Sequence, residues 1–77
     1  MRLVIRSINR GYAFRITYNV DSIDHIVSGP AEVVCGSRSR AKDEGENPDA
    51  DLMRIYFKDG ETATFDVDTI AMFFEGA

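Results

Sequence analysis

The sequence predicts a fold that is all-β or mostly β, with five or six antiparallel strands and room for one short helix. We expect the strands to form a curled sheet or a small open barrel of SH3-like or OB-like proportions. Residues 12–20 alternate apolar and polar side chains, which is typical of a strand with one buried face. Residues 52–57 and 62–67 alternate in the same way on either side of Asp59-Gly60, which is a turn signal. The apolar positions carry β-branched and aromatic residues, which suit a pleated surface.

Length and composition indicate a single globular domain. A chain of 77 residues buries only about 60% of its unfolded surface, so its core is thin. Its apolar fraction of 44% argues against disorder. No apolar run approaches about 20 residues, and the N-terminal apolar run is too short for a signal peptide. Because Cys35 is the single cysteine, we expect no internal disulfide and a cytoplasmic protein.

The charge of the chain is distributed unevenly. Residues 1–20 contain four arginines and no acidic residue, whereas residues 21–77 contain five basic and thirteen acidic residues. The first segment therefore carries +4 and the second −8, which gives the net charge of −4. A negative net charge disfavours general binding to nucleic acids or anionic membranes, although the N-terminal segment retains a local basic face.

The N-terminal segment predicts a hairpin. The first strand is expected from Arg2 to Ser7, and the stretch from Tyr12 to Val20 is expected to be the central strand of the domain. Residues that share a buried face fix the register of paired strands. Matching the two apolar faces leaves residues 8–11 as a four-residue loop, in which Asn and Gly suit positive φ. The predicted pairs are Leu3 with Ile16 and Ile5 with Phe14.

The same register gathers three arginines on the outer face of the hairpin, namely Arg2, Arg6 and Arg15. Like charges opposed across a sheet repel each other, so solvent, an acidic side chain or a partner should offset them. A solvated outer face is the simplest interpretation. The alternative is a nucleic-acid-binding face formed by Arg2, Arg6, Arg10 and Arg15.

The middle of the chain is less regular. The segment from Asp21 to Gly29 fits either a short capped helix or a strand. Gly29-Pro30 ends this segment, because proline lacks the N–H that a strand ladder needs. The segment from Ala31 to Cys35 then predicts a strand.

Residues 36–51 are predicted to form a mobile polar loop, because they are rich in Ser, Gly and charged residues and have no apolar period. The first half of this loop is basic and the second half is acidic. Its acidic side chains form the candidate protein-binding surface: Asp43, Glu44, Glu46, Asp49 and Asp51.

Residues 52–67 predict a second hairpin. A two-residue turn at Asp59-Gly60 would place polar side chains on the core face. A three-residue loop from Lys58 to Gly60, with Gly60 at positive φ, avoids this. The resulting pairs are Ile55 with Ala63 and Met53 with Phe65.

The C-terminal segment allows two interpretations. Ile70, Met72 and Phe74 alternate with Ala71 and Phe73, which predicts a last strand. A short helix capped by Asp68 is the rival interpretation. The sequence shows no evident internal repeat.

The stretch from Asp59 to Phe65 (DGETATF) resembles segments of small, uncharacterised proteins of bacterial phages and mobile elements, in which DG-x-TATF-like sequences occur. The resemblance covers less than a quarter of the chain. It implies a cellular context, and it transfers no functional residue to this sequence.

No set of residues in the sequence points to catalysis or metal binding. His25 would need a nucleophile and an orienting acid beside it, and its neighbour Asp24 should point to the opposite face of a strand. Cys35 lies among apolar residues and should be buried and inert. One Cys and one His are too few for structural zinc, and the acidic residues do not match a calcium loop. We expect no enzyme, no cofactor and no metal.

Two classes of function fit these observations. The first is a small acidic, cytoplasmic, non-enzymatic protein-binding module with a basic host protein as its partner. An accessory or inhibitor protein of a phage or mobile element, such as an anti-CRISPR-like inhibitor, exemplifies it. The second is a nucleic-acid-binding module that uses the arginine face. This face lacks aromatic residues for stacking on bases. The one aromatic residue that is expected to point outward, Tyr56, lies in the second hairpin. A sheet edge also allows pairing with a second copy of the chain.

Overall fold

The computed structural model describes residues 1–8 and 13–76. Within them, the chain forms six strands, two short α-helices and two 3₁₀ turns, so the mostly-β prediction is confirmed. The strands are β1 (Arg2–Ser7), β2 (Arg15–Asn19), β3 (Ile23–Pro30), β4 (Asp51–Phe57), β5 (Thr62–Asp66) and β6 (Ile70–Glu75). The α-helices are α1 (Ala31–Cys35) and α2 (Arg38–Asp43), and the 3₁₀ turns span Val20–Ser22 and Val67–Thr69.

The strands form two antiparallel sheets of three strands each. The first sheet has the order β2-β1-β6, and the second sheet has the order β3-β4-β5. Strand β1 is the centre of the first sheet, with Leu3, Val4 and Ile5 almost completely buried. The prediction that residues 12–20 contain the central strand is therefore wrong, because β2 lies at an edge of its sheet.

The main core lies between the two sheets. Leu3 and Ile5 of the first sheet pack with Met53 and Ile55 of the second sheet, surrounded by partly buried aromatic and aliphatic side chains. Full burial of one such aliphatic side chain contributes about 2 kcal/mol to folding. Two pairs of aromatic rings also pack here, with centroid distances of 5.0 Å and 6.3 Å. These ring pairs are Tyr18 with Phe57 and Phe14 with Phe65.

The other face of the second sheet is covered by α1 and α2. Ala31, Val34 and Cys35 of α1 are buried with Leu52 of β4. The predicted strand from Ala31 to Cys35 is wrong. Only helical spacing brings positions i, i+3 and i+4 to one side, and a strand would turn Val34 away from the other two. Gly36 then ends the helix in the left-handed conformation, with φ of 97°.

The polar segment from residue 36 to residue 51 was predicted to be a loop, but it contains the helix α2. The Ser37 side chain caps this helix by accepting a hydrogen bond from the Arg40 backbone N–H at 3.1 Å. Ala41 is fully buried in the cluster that includes Cys35 and Leu52. Sequence periodicity missed this helix because a helix of six residues presents only one apolar residue to the core.

The register of the first hairpin differs from the predicted one by two residues. The structure pairs Leu3 with Tyr18 and Ile5 with Ile16. A shift of two residues keeps every side chain on its predicted face, so the arginines still point outward. Because Ser7 N–H donates to the Phe14 carbonyl at 3.1 Å, the connection is longer than the predicted four residues. Residues 9–12, which include most of that predicted loop, lie outside the described residues.

The register of the second hairpin is the predicted one, with Ile55 opposite Ala63 and Met53 opposite Phe65. The Phe57 N–H donates to the Glu61 carbonyl at 2.9 Å, which leaves a three-residue loop. Gly60 has φ of 91°, as predicted. Strand β6 confirms the extended interpretation of the C-terminal segment, and β3 resolves the ambiguous segment from Asp21 to Gly29 as a 3₁₀ turn followed by a strand.

The structure reveals an internal repeat, contrary to the sequence prediction. Each half of the chain runs strand, strand, 3₁₀ turn, strand, and the turns share a motif, YNVDSI at 18–23 and FDVDTI at 65–70. In each turn, the Asn19 or Asp66 side chain accepts a backbone N–H at 3.0 or 3.1 Å. The carbonyls of Ser22 and Thr69 accept N–H groups just after β4 and β1, at 2.9 and 3.0 Å. Each half contributes its third strand to the sheet of the other half.

Substitution of Ser37 tests whether α2 is a folded element. Ser37→Ala should lower the free energy of unfolding by about 1 kcal/mol, because it removes the side-chain cap of the helix. Urea unfolding followed by circular dichroism measures this change. Ser39→Ala is the matched control, since Ser39 is exposed on the same helix. Equal stability of the two variants would mean that the segment is a loop in solution.

Candidate functional site

A polar cleft of about 510 Å³ lies between the α1–α2 pair and the second sheet. The walls come from the C-terminal half of α1, from α2 and its end, and from the outward face of β4. This cleft therefore depends on the helix pair that the sequence did not predict. Its lining residues are Val33, Val34, Cys35, Gly36, Arg40, Asp43, Glu44, Arg54 and Tyr56.

Arg54 is the organising residue of the cleft. Its side chain is only 13% exposed and is fixed by hydrogen bonds on two sides. Nε donates to Thr64 Oγ1 at 2.8 Å, and a terminal guanidinium nitrogen donates to Glu44 Oε2 at 3.2 Å. The hydrogen bond with Cys35 and the one from Arg54 hold the pKa of Glu44 below its usual value. The resulting ion pair links the end of α2 to the sheet.

Cys35 is buried at the base of the cleft, as predicted. Its sulfur lies 3.6 Å from a terminal nitrogen of Arg54. Burial raises the pKa of the Cys35 thiol, and the neighbouring Glu44 carboxylate raises it further. The thiol therefore stays protonated at neutral pH, which makes it a poor nucleophile.

His25 and Tyr56 form an aromatic pair beside the cleft. Their rings stack at 4.4 Å between centroids with an interplanar angle of 8°. His25 Nδ1 lies 2.8 Å from a carboxylate oxygen of Asp24, so the expectation that these neighbours point apart is wrong. The register of β3 shifts between Ile23 and His25, and this bulge turns the two side chains toward each other. No serine or cysteine of the described residues hydrogen-bonds to His25.

The predicted acidic surface is partly engaged in ion pairs within the chain. Glu44 pairs with Arg54, and Asp49 pairs with Arg38 at 2.7 Å. Asp43 and Asp51 are exposed, and Glu46 is half-buried. No ion pair of these three acids occurs among the described residues. The structure therefore divides the predicted set into acids that form ion pairs with arginines and acids that do not.

The arginine face lies on the outside of the first sheet, where Arg2, Arg6 and Arg15 are exposed. Glu75 of β6 offsets two of these charges, with Arg2 at 3.1 Å and Arg15 at 3.2 Å. Arg10 lies outside the described residues.

An aromatic residue also lies on the arginine face, which sequence reasoning missed. Phe73 is directly opposite Val4 in the pairing of β6 with β1, so both side chains lie on this face. The Arg15 guanidinium carbon lies 5.7 Å from the Phe73 ring centroid, within cation–π range. Val4 itself has an exposure of 0%. Predicting this aromatic required knowing that β6 pairs with β1.

The edge of the first sheet is strongly apolar. Met72, Phe73 and Phe74 of β6 are consecutive and have exposures of 49%, 39% and 63%. Met72 also lines an apolar cleft of about 150 Å³ between the two sheets, together with Ser28, Met53, Val67 and Ile70. Contiguous exposed apolar side chains on an edge strand are typical of a contact surface.

Comparisons with protein-family models, with curated proteins and with solved structures gave no match for this chain. No helix in residues 1–8 and 13–76 is long and apolar enough to cross a membrane. The same part of the chain contains no group of three or more His, Cys, Asp or Glu side chains arranged to hold a metal ion.

The Glu44–Arg54 pair predicts a dependence of stability on pH. The pKa of Glu44 is lowered in the folded state, so its contribution is present above the unfolded pKa and is lost as the pH falls through the folded pKa. Glu44→Gln should therefore destabilise the protein at about pH 7 and have little effect at about pH 3. Urea unfolding at both pH values measures the difference. Glu61→Gln is the control for charge removal at an exposed site, and its effect should not follow this pattern.

Proposed function

We propose that this protein is a small, non-enzymatic, cytoplasmic protein-binding module whose acidic side receives a basic partner. The observation that carries the proposal is the separation of charge between the layers of the fold. The outer face of the first sheet carries Arg2, Arg6 and Arg15. The segment from residue 20 to residue 69, which forms the second sheet, its turns and the helices, carries twelve of the thirteen acidic residues. Such a field steers a basic partner to one side of the molecule.

The accessible acids define the contact surface of this proposal. Asp43 and Asp51 are exposed, and neither forms an ion pair within the described residues. Glu44 and Asp49 are already bound by arginines, so they are less available to a partner. We therefore place the partner contact on Asp43, Glu46 and Asp51, a subset of the five acids predicted from the sequence.

The pairing of polar groups in the cleft supports binding rather than catalysis. Arg54 is bonded to Glu44 and Thr64. Cys35 is kept protonated by burial. His25 is bonded to Asp24 and stacked on Tyr56. A nucleophile or general base needs a free position toward its substrate and a matched pKa, and these groups are instead directed at each other.

The partner class follows from charge complementarity. A basic groove that binds nucleic acid on a host protein is the kind of surface that an acidic module occupies. The resemblance of residues 59–65 to phage and mobile-element proteins supplies the cellular context for an inhibitor or accessory role of this type. An anti-CRISPR-like inhibitor is one example of such a role.

Charge reversal tests the acidic contact surface. Asp43→Lys combined with Asp51→Lys should abolish capture of the partner from a lysate of the source cells, in the presence of nuclease. Capture by the unmodified protein should weaken between about 50 and 200 mM salt, because the Debye length shortens over this range.

A matched charge reversal provides the control. Asp21→Lys combined with Glu61→Lys makes the same change in net charge at the opposite end of β4, where Lys58 N–H bonds to the Ser22 carbonyl. This control should capture the partner normally. Equal capture by all three proteins, or loss of capture on nuclease treatment, would contradict the proposal.

A second function is favoured by one observation, the position of Phe73. The sequence placed no aromatic residue on the arginine face, whereas Phe73 lies there beneath Arg15. An aromatic ring among arginines is the combination that binds single-stranded nucleic acid by stacking and phosphate contact. Glu75 weakens this candidate, because it offsets two of the three exposed arginines.

Gel-shift assays separate this second function from the first. If the arginine face binds nucleic acid, single-stranded DNA or RNA should shift at about 50 mM salt and much less at about 200 mM. Arg6→Glu combined with Arg15→Glu should abolish the shift, whereas Asp43→Lys combined with Asp51→Lys should preserve or strengthen it. We expect no shift with the unmodified protein.

A further inference from the structure

The internal repeat provides a comparison between two equivalent sheet edges. Strand β3 is the third strand of the first half and β6 is the third strand of the second half, and each forms one edge of its sheet. In β3, a bulge lies between Ile23 and His25, and Gly29 and Pro30 end the strand. Bulges and prolines are the devices by which natural proteins prevent edge-to-edge pairing.

Strand β6 has none of these devices. It carries no proline, glycine, lysine or arginine from Ile70 to Glu75, and its register with β1 is continuous. Its three central exposed side chains are apolar. Of the two equivalent edge strands, β3 is therefore protected against pairing and β6 is not. This contrast leaves the β6 edge open to pairing with another strand.

We propose that β6 pairs antiparallel with β6 of a second copy of this chain, about a two-fold axis beside Phe73. The two first sheets would then form one continuous sheet of six strands, in the order β2-β1-β6-β6-β1-β2. This inference does not depend on the proposed acidic partner surface, which involves α2 and the start of β4.

The pleat restricts the register of such a pair. Residues opposed across two strands share a face, so a two-fold axis must pass beside a residue and not between two residues. An axis beside Phe73 sets Phe73 against Phe73 of the second copy on the arginine face. On the other face, it sets Met72 against Phe74 of the second copy, twice by symmetry. The most exposed apolar side chains of the strand thus cover each other.

Charge complementarity selects this register over its neighbour. Arg6 is the one arginine among Arg2, Arg6 and Arg15 without an ion pair within the described residues. Arg6 lies opposite Ala71 in the pairing of β1 with β6, and the small alanine leaves its side chain free to extend over β6. An axis beside Phe73 places Glu75 of the second copy opposite Ala71, on the same face as Arg6.

An arginine–glutamate contact across an intervening strand already exists elsewhere in the same sheet. Arg15 of β2 binds Glu75 of β6 at 3.2 Å, across the whole width of β1. Arg6 would cross β6 in the same way to meet Glu75 of the second copy, over two strand spacings of about 4.8 Å each. An axis beside Met72 would place Glu75 opposite Thr69 and leave Arg6 unpaired. The chain therefore supplies both the acid and the apolar side chains that its own edge requires, which favours a second copy over an unrelated strand.

Disulfide trapping tests both the pairing and its register. Phe73→Cys should give a disulfide-linked dimer under oxidising conditions, because opposed residues lie about 4.5–5.5 Å apart. Met72→Cys is the matched control and should not link, since residue 72 and its copy are diagonal neighbours at about 7–8 Å. The native Cys35 is buried and gives no background. Linking of Met72→Cys but not Phe73→Cys would overturn the register.

Sedimentation equilibrium tests the association itself. The unmodified protein should reach twice the 8.6 kDa chain mass at concentrations below about 1 mM. Phe74→Asp should be monomeric with an unchanged circular dichroism spectrum, because Phe74 is 63% exposed within one chain. Arg6→Gln removes two exposed ion pairs from the dimer and should weaken dimerisation by about two- to thirtyfold, whereas Lys42→Gln should not. A monomer at every concentration, or a dimer unaffected by Phe74→Asp, would overturn the proposal.

Discussion

The exchange of third strands between the two halves is the constraint on which the rest of the structure depends. Neither half closes a sheet of its own, since β6 completes the sheet of β1 and β3 completes the sheet of β4. Hydrogen bonds between the two halves reinforce the exchange, because each 3₁₀ turn accepts an N–H from the end of the other half's first strand. The core between the sheets and the cleft under the helices both require these distant pairings to form. A fold of this kind couples the two halves, because removing the third strand of either half leaves the sheet of the other half with only two strands.

The sequence predicted the parts of the fold that depend on neighbouring residues. Alternation over Arg2 to Ser7 and over residues 52–67 located three strands, and Gly60 fixed the second register because only one loop length kept polar side chains out of the core. The first register was displaced by two residues because its loop carries no comparably restrictive turn signal. Helices α1 and α2 were missed because five or six residues are too few for a helical period to be distinguished from a strand or a loop.

The candidate sites were predictable only where they lie within one element. The outward position of the N-terminal arginines follows from β1 and β2 alone. The Arg54–Glu44 pair depends on α2, and the approach of Phe73 and Glu75 to the arginines depends on the pairing of the first and last strands. The repeat that creates this pairing was obscured in the sequence, because its shared motif is short and the two helices separate the halves.

The two helices connect the halves and cover the second sheet, which explains why the two sheets differ in chemistry. In the second sheet, α1 and α2 cover the outward face, so that Arg54 is enclosed and matched to Glu44. In the first sheet, the equivalent face has no such layer among the described residues, and Arg15 lies over the Phe73 ring there. One sheet therefore has a charged, enclosed outer surface, and the other sheet has an open one. Two-fold pairing at β6 would present two acidic sides in one particle, and two linked contacts raise avidity for a partner with repeated basic sites without any new contact.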